Sequence, residues 1–256
     1  MDGGGVSRRR GSASPAETVR VGLLVPSSNT VMEVDFYRRL PAGATLHTGR
    51  MYLETTTPEA EGVMLDRHVI PAARDLATAR PAVLVFGCTS AGALRGNDYD
   101  RELCLRLAEE TDAEIVSVIA SVRRAIARRG AKTLGVVTPY VDALNEKIRS
   151  SLEADGSRVS AIDGLGITDN FAIAQVTPEE IAEFAFRRLH DVRADLVFVS
   201  CTNFRALEAI PLIEERLGTP VVTSNQAALE ETLALLEALG ASGAAPIGAA
   251  TQGSTD

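Results

Sequence analysis

The chain has 256 residues, 45% of them hydrophobic and 23% charged, with a mean hydropathy of +0.07, which is the composition of a globular protein. That length suits one large domain or two of about 110–120 residues. A net charge of −8 and a pI near 5.1 exclude nucleic acid or an anionic membrane as the main partner, and no apolar run reaches the ~18 residues of a membrane span.

Residues 1–18 contain Arg8-Arg9-Arg10 with no apolar stretch behind them, so they read as a disordered leader and not as a secretory signal. Strands are predicted at residues 20–25, 45–51, 82–86 and 114–116, and again at 133–138, 158–162, 196–200 and 220–223. Amphipathic helices are predicted between them at 101–111, 122–129, 142–154 and 178–189, and the alternation is that of stacked βαβ units. Thr57-Pro58-Glu59 and Thr177-Pro178-Glu179-Glu180 each place a Thr cap, a Pro at the first helical position and acids in the first turn. A last helix at 227–239 ends at Gly240, and 241–256 is a small, polar stretch expected to be a flexible tail. Three cysteines, an odd number, in a chain with no export signal point to reduced thiols and a cytoplasmic location.

The chain repeats itself at an offset of 113 positions, the spacing from Cys88 to Cys201. At that offset Val21-Gly22-Leu23-Leu24-Val25-Pro26 lies over Leu134-Gly135-Val136-Val137-Thr138-Pro139, and Leu84-Val85-Phe86-Gly87-Cys88-Thr89 lies over Val197-Phe198-Val199-Ser200-Cys201-Thr202. The expected fold is therefore α/β: two similar Rossmann-like lobes with parallel sheets, related by a pseudo-twofold axis. The first lobe covers 19–120 and the second 121–226, with helix 227–239 returning to the first. Ligands of open α/β sheets bind beyond the carboxyl ends of the strands, so the two cysteines are expected to face one cleft between the lobes.

A free cysteine is most often core packing. Cys104, mid-helix in Leu103-Cys104-Leu105 with no counterpart in the other half, fits that reading. Cys88 and Cys201 each follow a buried strand and precede Thr, with a helix expected just beyond. Backbone N–H groups and the helix dipole would then draw the thiol pKa from ~8.5 toward neutrality. Zinc requires roughly three or four ligands, and neither a CxxC nor a His at ligand spacing is present, so no metal is expected. His47, His68 and His190 fall in strand and helix contexts and read as non-catalytic.

Pro26-Ser27-Ser28-Asn29-Thr30 follows the first strand. It reads as a helix cap and, equally, as a loop of donors for an anion. Its counterpart places Tyr140 where the first half has Ser27; that tyrosine is either a cleft donor or an ordinary buried aromatic. Asp169-Asn170 follows the turn Gly164-Leu165-Gly166-Ile167, which can carry the amide into the site or leave it a plain loop Asn. Neither GxGxxG nor a P-loop occurs, so no nucleotide cofactor is expected.

Taken together, Pro26-Ser27-Ser28-Asn29, Cys88, Val137-Thr138-Pro139-Tyr140, Asp169-Asn170 and Ser200-Cys201, in that order, resemble the Asp/Glu racemase superfamily and, within it, the maleate cis–trans isomerases. The resemblance runs from about Val21 to Leu239. It implies two α/β lobes, an active site between them and no cofactor. It implies that Cys88 adds covalently to an alkene and that Cys201 exchanges a proton, with Asn29, Asn170 and Tyr140 holding the substrate carboxylates. Ser27, Ser28, Thr89 and Thr202 are the neighbouring substrate-binding candidates. Amino-acid racemases of the superfamily carry Asp-Ser-Gly, Cys-Asn-Thr and Cys-Thr-His where this chain has Pro-Ser-Ser-Asn, Cys-Thr-Ser and Cys-Thr-Asn, which argues against glutamate or aspartate racemisation. The chain is also similar to arylmalonate decarboxylase around Thr138–Glu146 and 165–168, an enzyme that keeps only the second cysteine, and to ectoine-utilisation proteins around both cysteines.

The implied activity is a cis–trans isomerisation of a small dicarboxylate, maleate to fumarate. Racemisation or decarboxylation with Cys88 and Cys201 as an acid/base pair is the alternative, and a two-lobed small-molecule binding protein is the non-enzymatic one. The expected partners are a small anionic carboxylate and a second copy of the chain, as a homo-oligomer with a dimer as the first guess.

Overall fold

The computed structural model describes residues 18–241. Apart from Thr18 and Ala241, the expected leader 1–18 and tail 241–256 lie outside the described residues. Within them the β-branched runs form strands and the amphipathic runs form helices, with one or two helices between successive strands. The first half contains β1 (Val19–Pro26), α1 (Met32–Tyr37), β2 (Ala44–Met51), α2 (Pro58–Arg67), α3 (Val69–Ala77), β3 (Val83–Phe86), α4 (Thr89–Leu94), α5 (Asn97–Thr111) and β4 (Glu114–Ser117). After α6 (Val118–Arg128) come β5 (Thr133–Thr138), α7 (Asp142–Glu153), β6 (Arg158–Gly164), α8 (Asn170–Ile173), α9 (Pro178–Leu189), β7 (Leu196–Val199), α10 (Ala206–Leu217), β8 (Val221–Thr223) and α11 (Ser224–Ala238). Among the described residues no helix is long and apolar enough to cross a membrane.

The strands make two four-stranded parallel sheets with the same order, β2-β1-β3-β4 and β6-β5-β7-β8. The sequence offset is also a register offset: Val21 pairs with Val83 in the first sheet, as Leu134 pairs with Leu196 in the second. β3 and β7 are buried at every position, as parallel strands covered on both faces must be, and this is why both read as unbroken apolar runs. The match fails at one place. β1 and β2 stay in register over their whole length, whereas β6 carries a bulge opposite Leu134 and Gly135, leaving Ser160 unpaired.

Helix starts follow their sequence signals. Thr57 caps α2 by accepting from the Ala60 N–H at 3.3 Å, and Thr177 with Glu180 forms a capping box at α9. α6 and α11, each following the fourth strand of its sheet, pack on one another, and both touch β4 and β8. Arg124 and Arg128 of α6, and Arg129 just after it, pair with Glu230 and Glu231 of α11 along the outer side of this contact. α11 also lies against β3 and α1. A second tie runs from the segment after β2: the Thr56 N–H donates to the Thr168 carbonyl at 2.7 Å, and the Asn170 N–H donates to the Glu54 carbonyl at 3.0 Å. The carboxyl ends of both sheets are thereby held facing one another.

Candidate active site

Gly87 brings Cys88 into position. A Cβ there would stand 2.7 Å from the Leu24 carbonyl oxygen and 2.8 Å from the Met32 sulfur, so only glycine lets the end of β3 lie this close to β1. Cys88 itself is the residue before α4, on extended backbone. Cys201 leaves β7 with φ +105°, a conformation rare for any side chain other than glycine. Hydrogen bonds on both sides hold it there. The Cys201 N–H donates to Ser224 Oγ at 3.0 Å, and the Thr202 carbonyl accepts from Asn225 Nδ2 at 3.1 Å.

Both thiols open into one small cavity between the sheet ends, about 10 Å3, room for about one water. Tyr140, Asn29, Asn170, Thr89 and Thr202 line it with them, so seven of the sequence candidates meet at one place. Thr202 links the lobes through a chain of hydrogen bonds: it accepts from Asn29 Nδ2 and donates to the Gly87 carbonyl, both at 3.0 Å. The Asn29 amide oxygen caps the start of α1 through the N–H groups of Val31 and Met32. Asn170 donates to Ser28 Oγ at 2.8 Å and accepts from Thr56 at 3.1 Å. An amide has two N–H bonds, so each asparagine keeps one for a ligand.

Ser27 and Ser28 stand behind the cavity and do not line it. Ser28 donates to the Leu53 carbonyl at 2.5 Å while it accepts from Asn170, and Ser27 accepts from the Leu53 N–H at 3.0 Å. They position other residues, because their hydroxyls are consumed in pinning the loop after β2.

The structure overturns the expected thiol ionisation. Burial pushes Cys201 up to about 12, against hydrogen bonds from Tyr140 and from the N–H groups of Asn203 and Phe204 that pull it down. Burial and the neighbouring Glu61 push Cys88 well above the ordinary range, against the Ala91 N–H and Ser90. A few N–H dipoles do not offset removal of a thiolate from water into a buried site. The helix expected just after Cys201 is also displaced: α10 starts only at Ala206, so a turn, not a helix end, supplies the N–H groups around that sulfur. Tyr140 is held neutral by burial and by both thiols.

Glu61, Ser90, Thr56 and Leu53 also line the cavity and were not among the sequence candidates. Glu61 is fully buried on α2, its Oε1 accepting from Ser90 and its Oε2 without a partner. One signal was available: Glu61 shares the inward face of α2 with Met64 and Leu65, at spacings of three and four residues. Among the described residues no Lys, Arg or His lines the cavity. Among the described residues no three His, Cys, Asp or Glu side chains are grouped to hold a metal ion.

A protein-family model described as arylmalonate decarboxylase matches residues 21–246 of the chain. The chain belongs to this family. The chain is 31% identical over 234 residues to a maleate isomerase from Pseudomonas putida, covering 86% of this chain and 91% of that protein. An arylmalonate decarboxylase from Bordetella bronchiseptica is 27% identical over 221 residues, covering 86% and 91%. Among solved structures, a Cys-to-Ser mutant of the Nocardia farcinica maleate cis–trans isomerase with a covalently bound succinylcysteine intermediate superposes with a TM-score of 0.79 at 25% identity, over 86% of this chain and 93% of that one. The chain is thus an enzyme of the Asp/Glu racemase superfamily, with two sheets that match those of its isomerases.

Proposed function

We propose that the protein is a cofactor-independent cis–trans isomerase of a small dicarboxylate, with maleate as substrate and fumarate as product. The observation that carries this reading is the pair of thiols in one enclosed, cation-free cavity, each delivered by its own sheet. Asn29 and Asn170 come from opposite lobes, and each has an amide hydrogen to spare for one end of a short dianion. At about 10 Å3 the closed cavity has room for about one water, so even a four-carbon acid must open it on entry, which favours a small substrate over an aryl one.

In this reading Cys88 gives up its proton to water as the substrate enters. Its thiolate adds to one alkene carbon, and the electron pair of the double bond moves toward the far carboxylate, where Asn and Tyr140 hydrogen bonds stabilise it. Cys201 protonates the neighbouring carbon. The former double bond is now single and rotates. Cys201 then takes that proton back, the Cys88–carbon bond breaks, and the trans acid leaves. The adduct is a succinylcysteine, the species named in the Nocardia farcinica structure. A decarboxylase needs only the proton donor of the second lobe, and the presence of Cys88 favours the isomerase.

Incubation with maleate, followed by NMR for fumarate, tests the activity. Intact mass of a Cys201→Ser variant tests the intermediate: a gain of one maleic acid, mapped to Cys88, is expected. No fumarate from maleate, together with carbon dioxide from an arylmalonate, would replace this reading with decarboxylation.

A further inference from the structure

Glu61 is the one ionisable carboxyl in the cavity, and its surroundings are unusual for a carboxylate. It is fully buried, and Ser90 is its hydrogen-bond partner, acting on Oε1. Ser90 Oγ in turn lies 3.9 Å from the Cys88 sulfur. Oε2 has no partner, and Glu61 lines the same space as both thiols. The titratable groups facing it across that space are Cys88, Cys201 and Tyr140, all acids themselves. The cations on the elements packed against α2 are occupied elsewhere: Arg95 pairs with Asp66, and Arg74 of α3 pairs with Glu110. An ionised Glu61 would therefore have no counter-charge and would repel a dianionic substrate. A protonated Glu61 carries its hydrogen on an oxygen that no protein atom engages.

We propose that Glu61 takes part in binding as the neutral carboxylic acid, its Oε2–H donating a hydrogen bond to the substrate carboxylate nearest Cys88. Ser90 fixes the orientation by donating to Oε1, which leaves Oε2 turned toward the ligand. A carboxylic acid kept neutral by its surroundings is an effective hydrogen-bond donor to developing negative charge. Burial pushes the Glu61 pKa up to about 8, so the acid form prevails at neutral pH. This assignment rests on the dicarboxylate reading and adds to it a third grip and a pH limit, since binding weakens as Glu61 ionises.

The test compares wild type, Glu61→Gln and Glu61→Leu on maleate across pH 6–10. The wild-type to Glu61→Gln ratio of kcat/KM, in which thiol ionisation cancels, is expected to fall as pH rises through about 8. Glutamine keeps a neutral but weaker donor, so turnover at neutral pH drops by less than about tenfold. Leucine has no donor, and a loss of about ten- to a hundredfold, mainly in KM, is expected at neutral pH. Equal, large losses in both variants would mean that the carboxylate acts as a base or binds a cation, and would overturn the proposal. A leucine variant as active as wild type would do the same. A second readout needs no maleate: alkylation of Cys88 by iodoacetate relative to iodoacetamide, two small reagents that differ in charge. The ratio cancels cavity opening and thiol ionisation. It should fall several-fold through pH 8 in wild type and stay flat in Glu61→Gln; a flat wild-type ratio overturns the proposal. Absence of maleate turnover in the wild type would defeat the dicarboxylate reading alone, and the alkylation ratio would still decide Glu61.

Discussion

In the first lobe Cys88 leaves β3 on extended backbone, φ −142° and ψ 112°, and α4 starts at the next residue. In the second, Cys201 leaves β7 at φ +105°, and a tight turn intervenes before α10. The two sheets share strand order and register, so the duplication fixes where the sulfurs are. The loops fix what surrounds them. Cys88 lies beside Ser90 and the acid Glu61, while Cys201 is encircled by donors: Tyr140 and the N–H groups of its own turn. A positive φ on a residue with a side chain costs on the order of 1–3 kcal/mol and is kept here by the bonds to Ser224 and Asn225. That strain curls the N–H groups of Asn203 and Phe204 around Cys201, whereas Cys88 faces the Ala91 N–H. The same scaffold thus delivers two thiols into different surroundings, one beside a carboxyl and one encircled by donors.

The largest expected effects come from the sulfurs and are unequal in kind. Cys88→Ala should lower turnover by at least about a thousandfold and leave no adduct on the protein, because the bond-forming atom is gone. Cys201→Ser should lower it by a similar factor yet let the adduct accumulate, because addition precedes proton exchange. Mass spectrometry of the two variants after maleate treatment separates them. Identical behaviour, with adduct in both or in neither, would remove the division of labour.

Glu61 belongs to the first lobe alone, and its removal is expected to show in stability as well. Its folded pKa, about 8, lies above the ordinary carboxyl value of 4.5. Folding therefore takes up a proton between those values. The wild type is most favoured below about pH 4.5, loses stability as pH rises through the folded pKa, and levels off above it. Glu61→Gln does not titrate, so its advantage over wild type should grow across that window, reaching roughly 3 kcal/mol near pH 7. Chemical denaturation at pH 5 and pH 8 measures it. A constant difference between the two pH values would mean that Glu61 is already ionised in the folded protein.

Much of this arrangement was legible in the chain. The 113-residue offset placed four of the eight strands, β1, β3, β5 and β7, and both strand ends that deliver thiols, because buried parallel strands must be written in apolar residues. The loop motifs brought Asn29, Tyr140 and Asn170 to the same cavity. Three things were not legible. The ionisation of Cys88 and Cys201 depends on how completely the cavity closes, which no local pattern encodes. The polar run after Cys201 reads like that after Cys88, yet the Thr202 and Asn203 side chains are spent on the Gly87 carbonyl and the Thr30 N–H across the lobe boundary. Glu61 was hidden because the acids of α2 look alike in sequence, and only the face shared with Met64 and Leu65 marks the buried one.

The surroundings of each sulfur can be altered separately. Tyr140 pulls Cys201 down and is absent from the groups that pull Cys88 down, whereas Ser90 does so for Cys88 alone. Tyr140→Phe is expected to move the alkaline rise of Cys201 alkylation to higher pH, leave that of Cys88 in place and slow turnover by about tenfold. Ser90→Ala should shift Cys88 and spare Cys201. Either variant moving both profiles together would show that the thiols titrate as one unit.

The smallest effect lies where the two halves fail to match. Ser160 sits at the bulge of β6, at the position that corresponds to His47 of β2, and His47 pairs in regular register with Gly22. The Ser160 hydroxyl is buried without a partner. An unsatisfied buried hydroxyl costs free energy that a methyl group does not, so Ser160→Ala should leave stability unchanged or raise it by up to ~1 kcal/mol. The bulge itself is held by backbone pairing on either side, Leu134 with Val159 and Gly135 with Ala161, which the substitution leaves intact. Turnover should therefore stay within about twofold of wild type, because the end of β5 that carries Tyr140 keeps its place. A loss of stability above ~1 kcal/mol, or a drop in turnover without unfolding, would mean that the hydroxyl maintains the bulge. The irregularity would then be part of how the second lobe aims Tyr140 at Cys201.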